Sequence, residues 1–277
     1  MTNYLKASVL LAAVTFATPA LAAPVDFTAS GPDAADIQAT VDNFRNALGA
    51  LNAPDGVNHP DGRRQINWDA APDAISDPNP FPGDFFNQNF SPRARGMTFT
   101  TNGSELRLSS TAASGTPVEF GEDNEFDTFS PERLIGILDG NIIDVFFRNP
   151  TNPSQQALVD GFGAVFTGNE LTGFTFIEFF DINDNKIHQV DAPFAGNEGL
   201  SFAGAVFDTP EVARVRIQAG TLGVNQCNLE GGISLDCVAM DDFIAGEMQP
   251  VPVPPAIAMM GAALAGVGIL GRRRKSA

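Results

Sequence analysis

Alternating apolar and polar residues from Met97 onwards predict a succession of short β-strands. Phe162, Ala164 and Phe166 recur at every second position and therefore share one face. Phe174–Phe180 has apolar residues on both faces, as a central strand of a sheet does. The segments with strand character, divided by Gly, Asn, Asp and Pro, are Met97–Thr101, Glu105–Ser109, Asn141–Phe147, Gly161–Thr167, Leu171–Phe180, Lys186–Val190, Leu200–Phe207, Val212–Gln218 and Cys237–Phe243. Because no helical pattern separates them, they indicate an antiparallel, jelly-roll-like β-sandwich.

Residues 31–48 follow the helical period instead. Pro32 suits the first turn, and Gly49 lies where a C-terminal cap is expected. The apolar residues that recur at helical spacing are Ile37, Val41, Phe44 and Leu48. We therefore expect a mainly β protein with one N-terminal helix, divided into a helical segment (residues 23–54) and an extracellular β-sandwich domain (residues 55–247).

The N-terminus has the features of an export signal. Lys6 precedes an apolar stretch that is too short for a stable membrane span. Ala20 and Ala22 flank Leu21 in the small-residue pattern that signal peptidase cleaves. We expect residues 1–22 to be a signal peptide that is removed after Ala22.

The C-terminal residues 251–277 combine three elements in a fixed order. A short proline motif comes first, formed by Val251, Pro252, Val253, Pro254 and Pro255. The apolar run 256–271 follows, and we predict that it is a transmembrane helix. A basic cluster ends the tail, formed by Arg272, Arg273, Arg274 and Lys275. Basic residues stay on the cytoplasmic side, so the preceding domain should lie outside the inner membrane.

This order of elements resembles the PEP-CTERM class of sorting tails in its VPLPA-like variant. The resemblance implies an exosortase-type protease as a partner, together with signal peptidase. It also implies that the C-terminal helix anchors the protein transiently before delivery to the cell envelope, the cell surface or the extracellular space. An ordinary permanent anchor is the alternative.

Patches of the middle region also resemble a recurring extracellular domain found with such tails. The resemblance implies a secreted β-sandwich, but it does not indicate any particular activity. The matching segments are Gly62–Asp69, Phe85–Asn87, Ser91–Arg93, Val159–Phe166, Gly199–Phe202 and Met240–Phe243.

The composition restricts the partners of the mature protein. Without the signal peptide and the tail, the chain contains 33 acidic and 11 basic side chains, which gives a net charge of −22. Such a surface argues against nucleic acid as a partner. Cys227 and Cys237 are the only cysteines, and in an exported protein we expect them to form a disulfide.

No set of residues predicts catalysis. His59 and His188 are the only histidines, and the chain has neither a G-x-S-x-G nor an H-E-x-x-H motif. We therefore predict no catalytic residue and expect a non-enzymatic protein. Its expected role is structural or adhesive, within an extracellular matrix. The alternative is a carbohydrate-binding module that recognises an envelope or extracellular polysaccharide.

Asp241 and Asp242 are candidate ligands for a structural calcium. Simple alternation would point Asp242 to the same side as Val238 and Met240, toward the core. A buried acid is costly unless it is paired or bound to a cation. Jelly-roll binding modules often carry calcium near such a pair, so the resemblance points the same way. Alternatively, Asp242 lies beyond the rim of the sheet, in water.

Arg63, Arg64 and Trp68 are candidates for a ligand patch. Guanidinium groups beside an indole ring could bind an acidic polysaccharide by stacking and hydrogen bonding. The structural alternative is that one arginine pairs with Asp61 or Asp69, while Trp68 fixes an irregular segment to the sandwich.

Overall fold

The computed structural model describes residues 22–229 and 234–251, which form two antiparallel β-sheets and one α-helix. The elements in chain order are β1 (Val25–Gly31), α1 (Ala34–Leu48), β2 (Arg63–Ile66), β3 (Met97–Thr101), β4 (Glu105–Leu108), β5 (Ile135–Leu138), β6 (Ile142–Asn149), β7 (Asn152–Leu158), β8 (Gly161–Thr167), β9 (Phe176–Phe180), β10 (Lys186–Asp191), β11 (Leu200–Val206), β12 (Arg214–Gln218), β13 (Ala239–Gly246) and β14 (Gln249–Pro250). The prediction of a mainly β protein with one N-terminal helix is confirmed. Most of the predicted signal peptide, including Ala20, and the tail from Pro252 onwards lie outside the described residues.

The two sheets pack face to face. The first has the strand order β1-β11-β8-β13-β5-β4, and β2 also pairs with β13. The second has the order β10-β9-β12-β6-β7-β14, and β3 also pairs with β6. Alternate residues of β8 point between the sheets, where Phe162 and Phe166 join the main apolar core with Phe147 and Phe179. The predicted alternation in Gly161–Thr167 therefore marks a real sandwich interior.

Helix α1 covers the opposite face of the first sheet. Its apolar residues Ile37, Val41, Phe44 and Leu48 pack on Val165, Leu200, Phe202 and Ile244 of the sheet. At its N-terminus the backbone N–H of Asp33 donates to Asp36 Oδ2 at 3.1 Å. Gly49 ends the helix with a φ of 96°, a value that glycine adopts easily. The helix begins later than predicted because Val25–Gly31 is a strand that pairs with β11 along its whole length.

A β-bulge in β13 changes the expected orientation of the aspartate pair. Met240 lies opposite Phe166 and Phe243 lies opposite Ala164, so two residues, Asp241 and Asp242, face a single residue of β8. The bulge shifts the alternation by one position. As a result Phe243, rather than Asp242, follows Met240 into the space between the sheets. The prediction that Asp242 shares the face of Met240 is wrong for this reason.

The predicted disulfide is present. Cys227 and Cys237 are bonded, with their Cα atoms 5.2 Å apart. Both are buried in a small apolar cluster with Phe126, Leu134 and Val224. The bond ties the segment after β12 to the start of β13, at one end of the first sheet.

Replacing both cysteines with alanine is expected to lower the free energy of unfolding by about 3 kcal/mol, because the closed loop no longer restricts the unfolded chain. Chemical denaturation of the oxidised wild type and the double variant measures the difference. Reduced wild type is the matched control and should behave like the variant. Equal stability of oxidised wild type and variant would contradict the prediction.

Asp160 is a half-buried acid between β7 and β8. Its Oδ1 is buried and has no hydrogen-bond partner among the described residues. The side chain lies against Gly246, where even a Cβ atom would come within 1.8 Å of Oδ1. Burial raises the pKa of Asp160 to about 6. The folded state therefore favours the protonated acid, and this stabilisation is lost as the pH rises from about 4 through 6.

Asp160→Asn is expected to stabilise the protein at pH 7.5 by about 2–3 kcal/mol and to have little effect near pH 4, because the amide keeps the shape and carries no charge. Urea unfolding at both pH values measures this change. Asp208→Asn, at an exposed position, is the control. A variant that is less stable than wild type at pH 7.5 would show that the folded protein prefers the charged form.

Candidate functional site

Asp241 fixes the loop that precedes β5 to the first sheet. Its Oδ2 accepts hydrogen bonds from the backbone N–H groups of Phe129 and Ser130, at 2.8 and 2.9 Å. Its Oδ1 accepts from the backbone N–H of Asp242 at 2.8 Å. The side chain is fully buried. Burial, followed by the charge of Asp242, raises the pKa of Asp241 well above its ordinary value.

Asp242 joins helix α1 to the same loop. Its Oδ2 accepts a hydrogen bond from Arg45 Nη2 at 2.7 Å, and its Oδ1 lies 2.9 Å from the hydroxyl of Ser130. The side chain is only 3% exposed, so the alternative that it lies beyond the sheet rim in water is wrong. Burial raises the pKa of Asp242, while Ser130 and Arg45 oppose the rise. Nearby Asp69 has its pKa raised to about 6, mainly by burial and in part by the charge of Asp242.

These contacts give both buried carboxyl groups hydrogen-bond partners within the protein. Among residues 22–229 and 234–251, no group of three or more His, Cys, Asp or Glu side chains is arranged to hold a metal ion. A structural calcium at Asp241 and Asp242 stays a prediction from the sequence. If it is correct, a chelator will lower the melting temperature of the protein, and added calcium will restore it. A melting temperature that the chelator leaves unchanged would exclude this hypothesis.

Arg64 is an internal structural residue. Its Nε and Nη2 donate to the two carboxylate oxygens of Glu247, each at 2.8 Å. Its Nη1 donates to the carbonyl of Ala94 at 2.6 Å, and Nη2 also donates to that of Val57 at 2.7 Å. Neither side chain of the ion pair is more than 1% exposed. With a further hydrogen bond from Nη1 to the carbonyl of Ala53 at 3.3 Å, the guanidinium is saturated, and it holds the irregular segment after α1 against the end of β13.

Trp68 is also internal, which corrects the predicted ligand patch. The residue is 1% exposed, and its ring packs against Phe81, Phe86, Phe99 and Phe243. Its Nε1 donates to the carbonyl of Asp241 at 3.3 Å. Arg63 is half-buried and donates to the carbonyl of Gly49 and to Gln65 Oε1. Arg63, Arg64 and Trp68 therefore cannot form a shared recognition surface. The structural alternative describes Trp68 well, but the partner of Arg64 is Glu247 rather than Asp61 or Asp69.

Two depressions open beside this buried assembly. The first, which we call the polar groove, has a volume of about 450 Å³ and is lined by Gln38, Arg45, Gln65, Asn67, Arg95 and Asp242, among others. The second, which we call the apolar pocket, has a volume of about 300 Å³ and is lined mainly by Trp68, Phe85, Phe86 and Pro92, with Arg93 and Arg95. Asn67 and Arg95 line both depressions, so the two adjoin.

Sequence reasoning did not predict either depression. Their residues come from α1, β2 and the chain directly after it, the segments around Phe85–Phe86 and Ser91–Arg95, the loop before β5, and the bulge of β13. Of these, Ser91–Arg93 is notable in the sequence only as a matching segment of an extracellular domain. The candidate binding region therefore depends on chain segments whose proximity only the fold reveals.

The sorting motif begins where the described fold ends. β14 pairs Gln249 and Pro250 with β7. The backbone N–H of Val251 still donates to the carbonyl of Gln156, at 3.2 Å. The remaining motif residues, the apolar run 256–271 and the basic cluster lie outside the described residues. In the described part of the chain, no helix is both long and apolar enough to cross a membrane.

Comparison with protein-family models, with curated proteins and with solved structures finds no match.

Proposed function

We propose that this chain is an exported, surface-sorted and non-enzymatic β-sandwich protein with a structural, adhesive or extracellular-matrix role. The observation that carries the proposal is the three-part tail, which starts at Val251, directly after the last strand of the sandwich. The described part of the β-sandwich thus ends where the proposed sorting motif begins. The Cys227–Cys237 disulfide and the strongly acidic composition are in keeping with an oxidising, extracytoplasmic location.

The proposed mechanism is delivery rather than catalysis. Signal peptidase would remove residues 1–22, and the helix 256–271 would hold the protein in the membrane with its basic cluster inside. An exosortase-type protease would then recognise the proline motif, cut near it and release the domain to the envelope. We further propose that the sandwich is of the jelly-roll type.

The proline motif provides the first test of delivery. Replacing Pro252, Pro254 and Pro255 with alanine should leave uncleaved protein in the inner membrane, while wild type reaches the cell surface or the medium. Fractionation of cells that express each form measures the distribution. Pro210→Ala, at an exposed turn of the domain, is the control and should be sorted normally. Normal sorting of the triple variant would exclude the motif as a recognition signal.

A carbohydrate-binding role is the second candidate, and the polar groove favours it. Gln38, Gln65 and Asn67 provide amide groups, and Phe129 adds an apolar face. Amides and aromatic faces are the groups that commonly recognise sugar hydroxyls and C–H faces. Glycan-array binding that is lost in the double variant Gln65→Ala/Asn67→Ala, and kept in Gln189→Ala on β10, would support this role. Absence of binding to any glycan favours the structural role.

A further inference from the structure

The apolar pocket has the form of a small-molecule site. Its volume is about 300 Å³, at the lower end of the range for ligand sites, and most of its wall consists of aromatic and proline side chains. Phe86 and Trp68 in the wall belong to the main core and are held in place by their packing with Phe81. A rigid apolar wall of this kind favours a ligand with a compact apolar body.

Two guanidinium groups provide the polar part of the pocket. Arg93 lies over the ring of Phe85, with its Cζ 4.0 Å from the ring centroid, and its Nε donates to the carbonyl of Phe85 at 2.9 Å. Arg95 donates from Nη1 to the carbonyl of Gln65 at 2.7 Å and from Nε to that of Pro92 at 3.3 Å. These contacts fix both side chains. Both terminal nitrogens of Arg93 and the Nη2 of Arg95 remain without a hydrogen-bond partner among the described residues.

Neither of these arginines has a carboxylate partner within the described ranges. Arg63 and Arg148 likewise have none, whereas ion pairs with Asp or Glu are formed by Arg45, Arg64, Arg107, Arg133, Arg214 and Arg216. Burial, and then the nearby charge of Arg64, lower the pKa of Arg95. An anion next to Arg95 would offset both of these costs.

We propose that the apolar pocket binds a small organic acid, an aromatic or branched aliphatic carboxylate whose apolar body lies against Phe86 and Pro92 while its carboxylate meets Arg93 and Arg95. The ligand carries a single charge, because the strongly negative net charge of the chain repels polyanions. The site does not depend on the sorting tail, and it adjoins the polar groove through Asn67 and Arg95.

Trp68 is the chain's single tryptophan and lines this pocket, so its fluorescence reports binding directly. The test titrates the full chain, purified in a mild detergent, with 3-phenylpropionate and with the uncharged 3-phenylpropanamide. The acid should change the Trp68 emission in a saturable way and bind about tenfold more tightly than the amide, because its hydrogen bonds to the guanidinium groups are charge-assisted. It should also raise the melting temperature, which provides a second readout.

Two variants assign the preference for the acid to the arginines. Arg95→Gln and Arg93→Gln should each remove most of the difference between acid and amide. Lys186→Gln removes the same charge on β10, in the other sheet, and should keep the difference. If Arg95→Gln disturbs the fold, which its melting curve will reveal, Arg93→Gln still tests the proposal. Equal binding of acid and amide by wild type, or no saturable change in either readout, overturns it.

Discussion

Replacing Arg64 with methionine is expected to lower the free energy of unfolding by about 4 kcal/mol, within the range for breaking a buried ion pair. Methionine fills a similar volume but leaves the carboxylate of Glu247 charged and buried. The remaining donors to that carboxylate, Asn52 Nδ2 at 2.9 Å and the backbone N–H of His59 at 3.4 Å, cannot neutralise it. The carbonyls of Ala94 and Val57 also lose their donor. Since domains are stable by only about 5–15 kcal/mol, the loss should be obvious in a denaturant titration.

Two further variants separate the charge effect from packing. Arg216→Met removes an arginine that is 40% exposed and whose partner Asp144 keeps a second contact with Arg214. It should cost less than about 1 kcal/mol. The double variant Arg64→Met/Glu247→Leu should recover part of the loss, because it leaves no unpaired buried charge. If Arg64→Met lowers the free energy of unfolding by no more than Arg216→Met does, then Glu247 is hydrated and its ion pair with Arg64 does not stabilise the fold.

The second large effect is expected for Trp68→Ala, which should lower the free energy of unfolding by about 4–5 kcal/mol. The substitution empties the space between Phe81, Phe86, Phe99 and Phe243 and removes the donor to the carbonyl of Asp241. Thermal or chemical unfolding measures the loss. Phe90→Ala is the control: this side chain is 50% exposed, and its removal should change stability by less than about 0.5 kcal/mol.

This result also changes how Trp68 variants should be used to study binding. Because the ring belongs to the core, Trp68→Ala would weaken glycan binding by destabilising the domain, whatever the position of the glycan site. Trp68→Phe, which keeps an aromatic ring in place, is the better variant for such work. Unfolding parameters of Trp68→Ala that match those of Phe90→Ala would mean that Trp68 is a surface residue after all.

Local patterns in the sequence predicted the elements with strong periodicity. The stripe of Ile37, Val41, Phe44 and Leu48 identified α1, and the bounds of β3 and β8 match the prediction. Strands without such a pattern were missed. β2 and β5 have only four residues each, and β7, with the sequence NPSQQAL, is polar and contains Pro153. β1 was also missed, and its neighbour β11, which supplies its hydrogen bonds, lies about 175 residues later in the chain.

The candidate site was harder to predict because it depends on long-range contacts. Nothing near Arg64 in the sequence indicates that its partner is Glu247, 183 residues away. The bulge at Asp241 and Asp242 is equally hidden, since it appears only when β13 is aligned with β8. The pair could be identified as unusual from its position in an apolar run, but its partners Arg45 and Ser130 come from a helix and a loop that local patterns do not connect.

The intact mass of the protein recovered from its native cell envelope tests the central proposal most directly. We expect a species that begins near Ala23 and ends between about residues 250 and 256, with or without an added group from the envelope. Such a mass would show that both terminal segments are processed and that the β-sandwich is delivered as a separate domain. A species that still carries Arg272–Ala277 would contradict the proposal, because the tail would then be a permanent anchor.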